Sequence, residues 1–321
     1  MKLALAGDTM LGRGVAEALR TRSPAELFDE AVVAAAHEAD LFVLNLECAV
    51  SDRGRRWPDP RKPFFFRAAP RALEALQLLG VGCVTLANNH ALDYGAEALL
   101  DTLDHLDAVG IAHVGAGADV FDARTPVVVE GGGVRFGVVG ATDHPAAFAA
   151  GRDRPGVAYG TLRDGVPSWE LDAVQQLAGD PTIDVVLVTP HWGPNMVTEP
   201  LREVRVAAQQ LLDAGATLVA GHSAHVFHGV ADRVLYDLGD FIDDYAVDPR
   251  LRNDLGLLWL VTFDGAVPVC VEAVPLALDF GHTRAARPPE AEWIGRRLRA
   301  ACASLGTDVH EHAGRLVVDW R

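Results

Sequence analysis

Residues 125–142, TPVVVEGGGVRFGVVGAT, set two apolar, β-branched runs on either side of three glycines, with no room for a helix between them. That is the pattern of a β-hairpin. Residues 255–276, LGLLWLVTFDGAVPVCVEAVPL, repeat it with Asp264-Gly265 at the turn. Elsewhere in the first two-thirds of the chain, short apolar runs alternate with helical stretches, as in βαβ units with parallel strands. Residues 70–79 place Leu73, Leu76 and Leu79 on one helical face before Gly80, and residues 96–109 do the same with Leu99, Leu103, Leu106 and Val109 before Gly110. Hairpins combined with parallel units predict two packed mixed sheets flanked by helices. A simple Rossmann sheet fits less well, and no G-x-G-x-x-G is present.

The bulk numbers narrow the function. Half of the 321 residues are apolar, enough for a sizeable core. Lys plus Arg total 28 against 44 Asp plus Glu, a net charge of -16, which argues against nucleic acid bound through a basic face. No apolar run is long enough to span a bilayer and the first residues lack a signal cleavage site, so a cytoplasmic protein is expected. Cys48, Cys83, Cys270 and Cys302 form no C-x-x-C pair and read as buried hydrophobes. One domain over residues 1–288 is expected, with residues 289–321 as a C-terminal helix and strand packed on it. The oligomeric state is not legible.

Five apolar runs end in a donor residue: Asp8 after LALAG, Glu47 after LFVLN, Asn89-His90 after CVTLAN, His191 after VVLVTP and His222 after TLVAG, with His225 three residues on. Carboxyl ends of strands are where open α/β sheets bind ligands. An Asp or His at a single strand end is most often a cap or a loop residue. Six donors in one repeated placement point instead to a site for one or two divalent transition metal ions such as Mn, Zn or Fe. Asp93 can orient His90 or cap the following helix, and the cap is the favoured reading. Asp237, Asp240 and Asp243 form an acidic run that suits an extra cation or a turn. Loops 51–66 and 143–167 are long and rich in Pro, Gly and charge. The first, with Arg53, Arg56 and, just past its end, Arg67, is the candidate receiver of an anionic substrate, a small molecule or an acidic polymer, although a solvated loop fits equally.

The blocks GDTML, NLE, ANNHALDYG, HWG, GHSAHV and YDLGDF, in order over residues 7–241, resemble the CapA family of poly-γ-glutamate capsule-biosynthesis proteins, within the calcineurin-like metallophosphoesterase superfamily. The resemblance implies an α/β, metallo-dependent phosphatase-like fold: a four-layer αββα sandwich with two mixed β-sheets and a dimetal centre at one edge. It implies that Asp8 binds the first metal, that Glu47 bridges, that Asn89, His191 and His222 complete the second site, and that His225 returns to the first. His90 becomes the general acid or oxyanion stabiliser. The expected activity is a metal-dependent hydrolase using a metal-activated water on a phosphoester or an amide of the γ-glutamyl type; a non-catalytic metal-binding component of polymer synthesis is the alternative. Two departures stand out. Met10 occupies the place of a ligand imidazole, and two residues rather than one separate His222 from His225. A thioether is a poor ligand for such cations.

Overall fold

The structure is a computed structural model that describes residues 1–320. Its strands, numbered here for the two large sheets, are β1 (Lys2–Thr9), β2 (Leu41–Leu46), β3 (Val81–Thr85), β4 (Ala112–Val114), β5 (Val127–Gly131), β6 (Val134–Thr142), β7 (Val185–His191), β8 (Leu218–Ala220), β9 (Val230–Ala231), β10 (Val234–Leu235), β11 (Asp240–Ile242), β12 (Leu255–Asp264), β13 (Val267–Asp279), β14 (His282–Ala285), β15 (His310–His312) and β16 (Arg315–Asp319). The first sheet has ten strands in the order β15-β16-β13-β12-β1-β2-β3-β4, with β11 paired to β1 and β14 to β13. The second has six, in the order β9-β10-β8-β7-β6-β5. Both are mixed. β1, β2, β3 and β4 run parallel while β12 joins β1 antiparallel, and β6, β7 and β8 run parallel while β5 pairs β6 antiparallel. Both hairpins read from the sequence are present.

Side-chain alternation sorts the apolar residues into three layers. Leu3, Leu5, Val43 and Cys83 of the first sheet meet Phe136, Val138, Leu187 and Leu218 of the second. Their neighbours Ala4, Ala6, Phe42, Leu44 and Val84 face outward onto helices α1 (Arg13–Ala18), α2 (Glu30–Ala36), α3 (Leu73–Leu78) and α4 (Gly95–Ala108). On the far side Val186, Val188 and Val219 pack under the helices Ser168–Gly179 and Arg202–Asp213. Helices, sheet, sheet and helices make four αββα layers. Residues 70–79 are less regular than their leucine spacing predicts: Pro70–Ala72 is a 3-10 turn and only Leu73–Leu78 is α-helical. β16, near the C-terminus, extends the first sheet beside β13. Among the described residues no helix is long and apolar enough to cross a membrane.

One irregularity in β1 matters for function. Ala6 pairs with Leu44 and Asp8 with Asn45, so Gly7 is skipped. Without the bulge Asp8 would share the outward face of Ala4 and Ala6. With it, Asp8 turns to the inter-sheet face of Asn45. Only glycine fits there, because a Cβ at residue 7 would lie 1.7 Å from the Gly239 carbonyl oxygen, which accepts the Asp8 amide at 2.9 Å.

Candidate metal centre

The donors continue the inward faces of their strands past the last hydrocarbon position. Val43 is followed on that face by Asn45 and Glu47, Leu187 by Thr189 and His191, and Leu218 by Ala220 and His222. A backbone bridge between His191 and His222 ties the ends of β7 and β8 together. His225 sits in the left-handed region at φ 59. Its turn is held by the buried carboxylate of Asp237, which accepts the amides of Ala224 at 2.8 Å and Gly239 at 2.9 Å.

Residues from distant parts of the chain thereby converge. Asp8, Glu47 and His225 each present a donor atom within 4.8 Å of the others. His225 Nδ1 lies 3.2 Å from Asp8 Oδ2, His222 Nδ1 lies 3.6 Å from Asp8 Oδ1, and His191 Nε2 lies 3.6 Å from Glu47 Oε1. Both Glu47 oxygens, His191 Nε2, His222 Nδ1 and Asn89 Oδ1 are buried with no hydrogen-bond partner. Buried polar atoms are otherwise almost always satisfied. The four orphans on Glu47, His191 and His222, all oxygen or imidazole nitrogen within this cluster, fit a divalent cation.

The outward atoms of these side chains are engaged, which fixes where the free ones point. Thr189 Oγ1 meets His222 Nε2 at 3.0 Å and Thr142 Oγ1 meets His191 Nδ1 at 3.3 Å, each on the ring nitrogen opposite the free one, while Asp240 Oδ1 meets His225 Nδ1, the atom that also faces Asp8, at 2.9 Å. Asn45 donates to Asp8 Oδ1 at 2.7 Å and is itself held by Asn88, whose side chain donates to Asn45 Oδ1 at 2.9 Å. The electrostatics record the crowding. Burial and the charge of Asp8 push Glu47 well above the usual carboxylate range. Burial also acts on Asp8, but His225, His222 and His191 carry it below its ordinary value. Burial pushes His222 down to about 4, whereas His225, against the same burial, is held well above its usual value by Asp240 and Glu47.

His90 stands beside this cluster as half of a dyad. Its Nδ1 lies 2.6 Å from Asp93 Oδ2, and its ring stacks on Phe66 at 4.0 Å. Asp93 also accepts the Phe66 amide at 2.6 Å, and Lys62 Nζ forms an ion pair with its other oxygen at 2.9 Å. The favoured reading of Asp93 as a helix cap is thus replaced: α4 begins at Gly95, its N-cap is Tyr94, and no side chain caps it. A buried imidazole and a nearby amide outcompete a helix end for that carboxylate. Burial pushes His90 down to about 4.

Met10 is fully buried in the outward layer, with its sulfur 3.1 Å from the Gly12 amide. Of the loop arginines, Arg53 is paired with Asp101, at 3.0 Å through Nε, and with Glu97 at 3.1 Å. Arg56 and Arg67 line a cavity of about 500 Å³. The sequence reading did not find Asn45, Asn88, Thr142 or Thr189, because orienting residues carry no spacing signal of their own. A second imidazole–carboxylate pair, His144 with Asp143, follows β6, and its ring lies 4.8 Å from that of His191.

Residues 2–245 match the family described as bacterial capsule synthesis protein PGA_cap. A probable polyglutamine synthesis accessory protein of Mycobacterium tuberculosis is 31% identical over 355 aligned positions, covering 95% of this chain and 92% of that one. The capsule biosynthesis protein CapA of Bacillus anthracis is 29% identical, covering 76% of this chain and 60% of its own length. Among solved structures, a novel phosphatase from Mycoplasma pneumoniae superposes with a TM-score of 0.52 at 13% identity, over 91% of this chain and 96% of that one. That likeness speaks to the fold alone.

Proposed function

The chain belongs to the bacterial capsule synthesis protein PGA_cap family, and from that membership we propose that it is a metal-dependent hydrolase acting on a phosphoester or on an amide of the γ-glutamyl type. The observation that carries this reading is the set of orphaned donors on Glu47, His191 and His222 beside Asp8, His225 and the His90–Asp93 dyad, with Asn89 Oδ1 likewise unpartnered. A dyad is superfluous for holding a metal and is suited to moving a proton.

One or two divalent transition metals would be held by Asp8, Glu47, Asn89, His191, His222 and His225. When bound they would supply Lewis-acid polarisation and a water acidic enough to be deprotonated near neutral pH. The rest falls to the protein. Asp93 accepts from Nδ1 of His90 and so keeps Nε2 as the working nitrogen, while Phe66 fixes the ring plane. Near pH 7 the buried ring is neutral; an anionic substrate beside it raises its proton affinity, so the group is charged when the leaving atom needs a proton. Arg53, Arg56 and Arg67 supply positive charge for an anionic substrate, Arg53 in a network with Asp101.

The measurement is metal content by mass spectrometry together with turnover on phosphoester and γ-glutamyl amide panels after Mn²⁺ or Zn²⁺ loading. At least one tightly held metal per chain is expected, and His90→Asn should lose about 10²–10⁴-fold in turnover while keeping its metal. Absence of both metal and turnover overturns the reading. Met10, committed to the core, favours a second reading, a metal-holding accessory component without catalysis. In that case His90→Asn leaves the cellular role intact.

A further inference from the structure

We infer that the hydroxyl of Tyr245 is a further hydrogen-bond donor of the metal centre, placed to bind an oxygen of a tetrahedral anion held there. Tyr245 lies just past the carboxyl end of β11, which runs parallel to β1 with Asp8 opposite Asp240 and Thr9 opposite Ile242. It therefore emerges at the same edge of the first sheet to which β1 and β2, also parallel, deliver Asp8 and Glu47.

The side chain is oriented the reverse of the usual way. A tyrosine near a surface normally buries its ring and leaves its oxygen to water. Here the residue is only partly buried, yet its hydroxyl oxygen is enclosed, and among the described residues nothing pairs with it. Acceptors are not lacking. Burial and the charges of Glu47, Asp240, Asp243 and Asp8 hold the phenol well above its ordinary value, so the hydroxyl keeps its proton, but both Glu47 oxygens are without a hydrogen bond as well. The phenol and Glu47 thus act on each other without touching. A phenylalanine would fill the same place and leave no buried donor unpaired. The oxygen does nothing for the chain alone and fits an acceptor that a ligand brings.

The ring is fixed where such a bond would serve. Asp243 Oδ1 accepts the Tyr245 amide at 2.8 Å, and the ring meets His225 edge-on at 5.2 Å and Phe66 at 5.8 Å. Phe66 is also the residue that stacks on His90. Tyr245 therefore joins a member of the metal-binding set to the support of the proton-transfer dyad. A tetrahedral anion offers more oxygens than His90 can serve, and a preoriented phenol adds a second donor without reorganisation as charge builds on them. That use in the reaction rests on the hydrolase reading; the bond to a bound anion rests on the metal centre alone.

The test compares Tyr245→Phe with the parent, each as the Mn²⁺-loaded full chain, by calorimetric titration with inorganic phosphate. The variant is expected to bind phosphate about tenfold more weakly, with its Mn²⁺ content unchanged and, after chelator treatment, a melting temperature no lower than the parent's. Equal phosphate affinity in the two chains, or a parent that does not bind phosphate, overturns the inference. So does a lower melting temperature, which would make the hydroxyl a structural group, or a loss of Mn²⁺, which would make it a ligand of the cation. Weaker phosphate binding by the variant without turnover by the parent on any panel keeps the inference and removes the hydrolase reading; turnover by the parent with equal phosphate affinity in both chains does the reverse.

Discussion

The layer between the two sheets has two regions built by one rule. For most of its length it is hydrocarbon, with Leu3, Leu5 and Val43 against Val138, Leu187 and Leu218. One or two inward positions farther along the same strands it holds Asp8, Glu47, His191 and His222, equally buried. Backbone alternation places both sets, so the site needs no separate scaffold. What differs is the sign of the contribution to stability. Burying the leucines drives folding. Burying Glu47 with both oxygens unpartnered opposes it. The same geometry therefore yields a stabilising core in one half and, without a cation, a cluster of unpartnered buried polar atoms in the other.

The largest effect should come from the hydrocarbon half. Leu187 is fully buried, and Leu187→Ala is expected to destabilise the protein by about 2–5 kcal/mol in chemical denaturation. Metal bound per folded chain should stay the same. A parallel fall in metal content would show that the two regions are not separable.

In the donor half the sign should reverse. Glu47→Gln removes a buried charge facing Asp8, so chelator-treated protein should gain about 1 kcal/mol, read as a melting temperature a few degrees higher. The same variant should lose most of the rise in melting temperature that added Mn²⁺ gives the parent chain. A loss of stability under both conditions would mean that Glu47 is an ordinary structural residue.

How much of this was legible follows from the range of each signal. The donors at strand ends and the two hairpins were readable because alternation and turn chemistry are local. The bulge that turns Asp8 inward was not: the close approach of the Gly239 carbonyl, more than two hundred residues away, requires Gly7. Asp93 misled because a cap is decided locally, whereas its real partners, the ring of His90 and the amide of Phe66, belong to different segments that only the fold brings together. Arg53 looked as free as Arg56 in a basic loop. It is paired to α4, since Asp101 and Glu97 lie one turn apart on the helix face that the loop crosses.

The smallest effect sharpens the contrast between a half-buried carboxylate paired with a cation and a buried one without. Glu290, in the first turn of the C-terminal helix Pro288–Ala303, has both oxygens 2.8 Å from Arg284 and accepts the Arg287 amide at 2.7 Å. Arg284 holds its carboxyl down at about 2, against an ordinary 4.5. Because the folded value is the lower one, this contribution is complete above about 4.5 and is lost as the pH falls toward about 2. Glu290→Gln should therefore cost about 1 kcal/mol near pH 7, and the difference from the parent should shrink on acidification. Glu47 must slope the other way. Its folded value is raised, so the folded state holds the extra proton above about 4.5, and in chelator-treated protein the penalty grows as the pH rises through that region. Denaturant titrations of both variants from about pH 3 to pH 7 should diverge, with the Glu290→Gln deficit and the Glu47→Gln gain both widening toward neutrality. A gain for Glu47→Gln that stayed constant with pH would show that its carboxyl has the same proton affinity in the folded and the unfolded chain, and that burial beside Asp8 imposes no penalty on its charge.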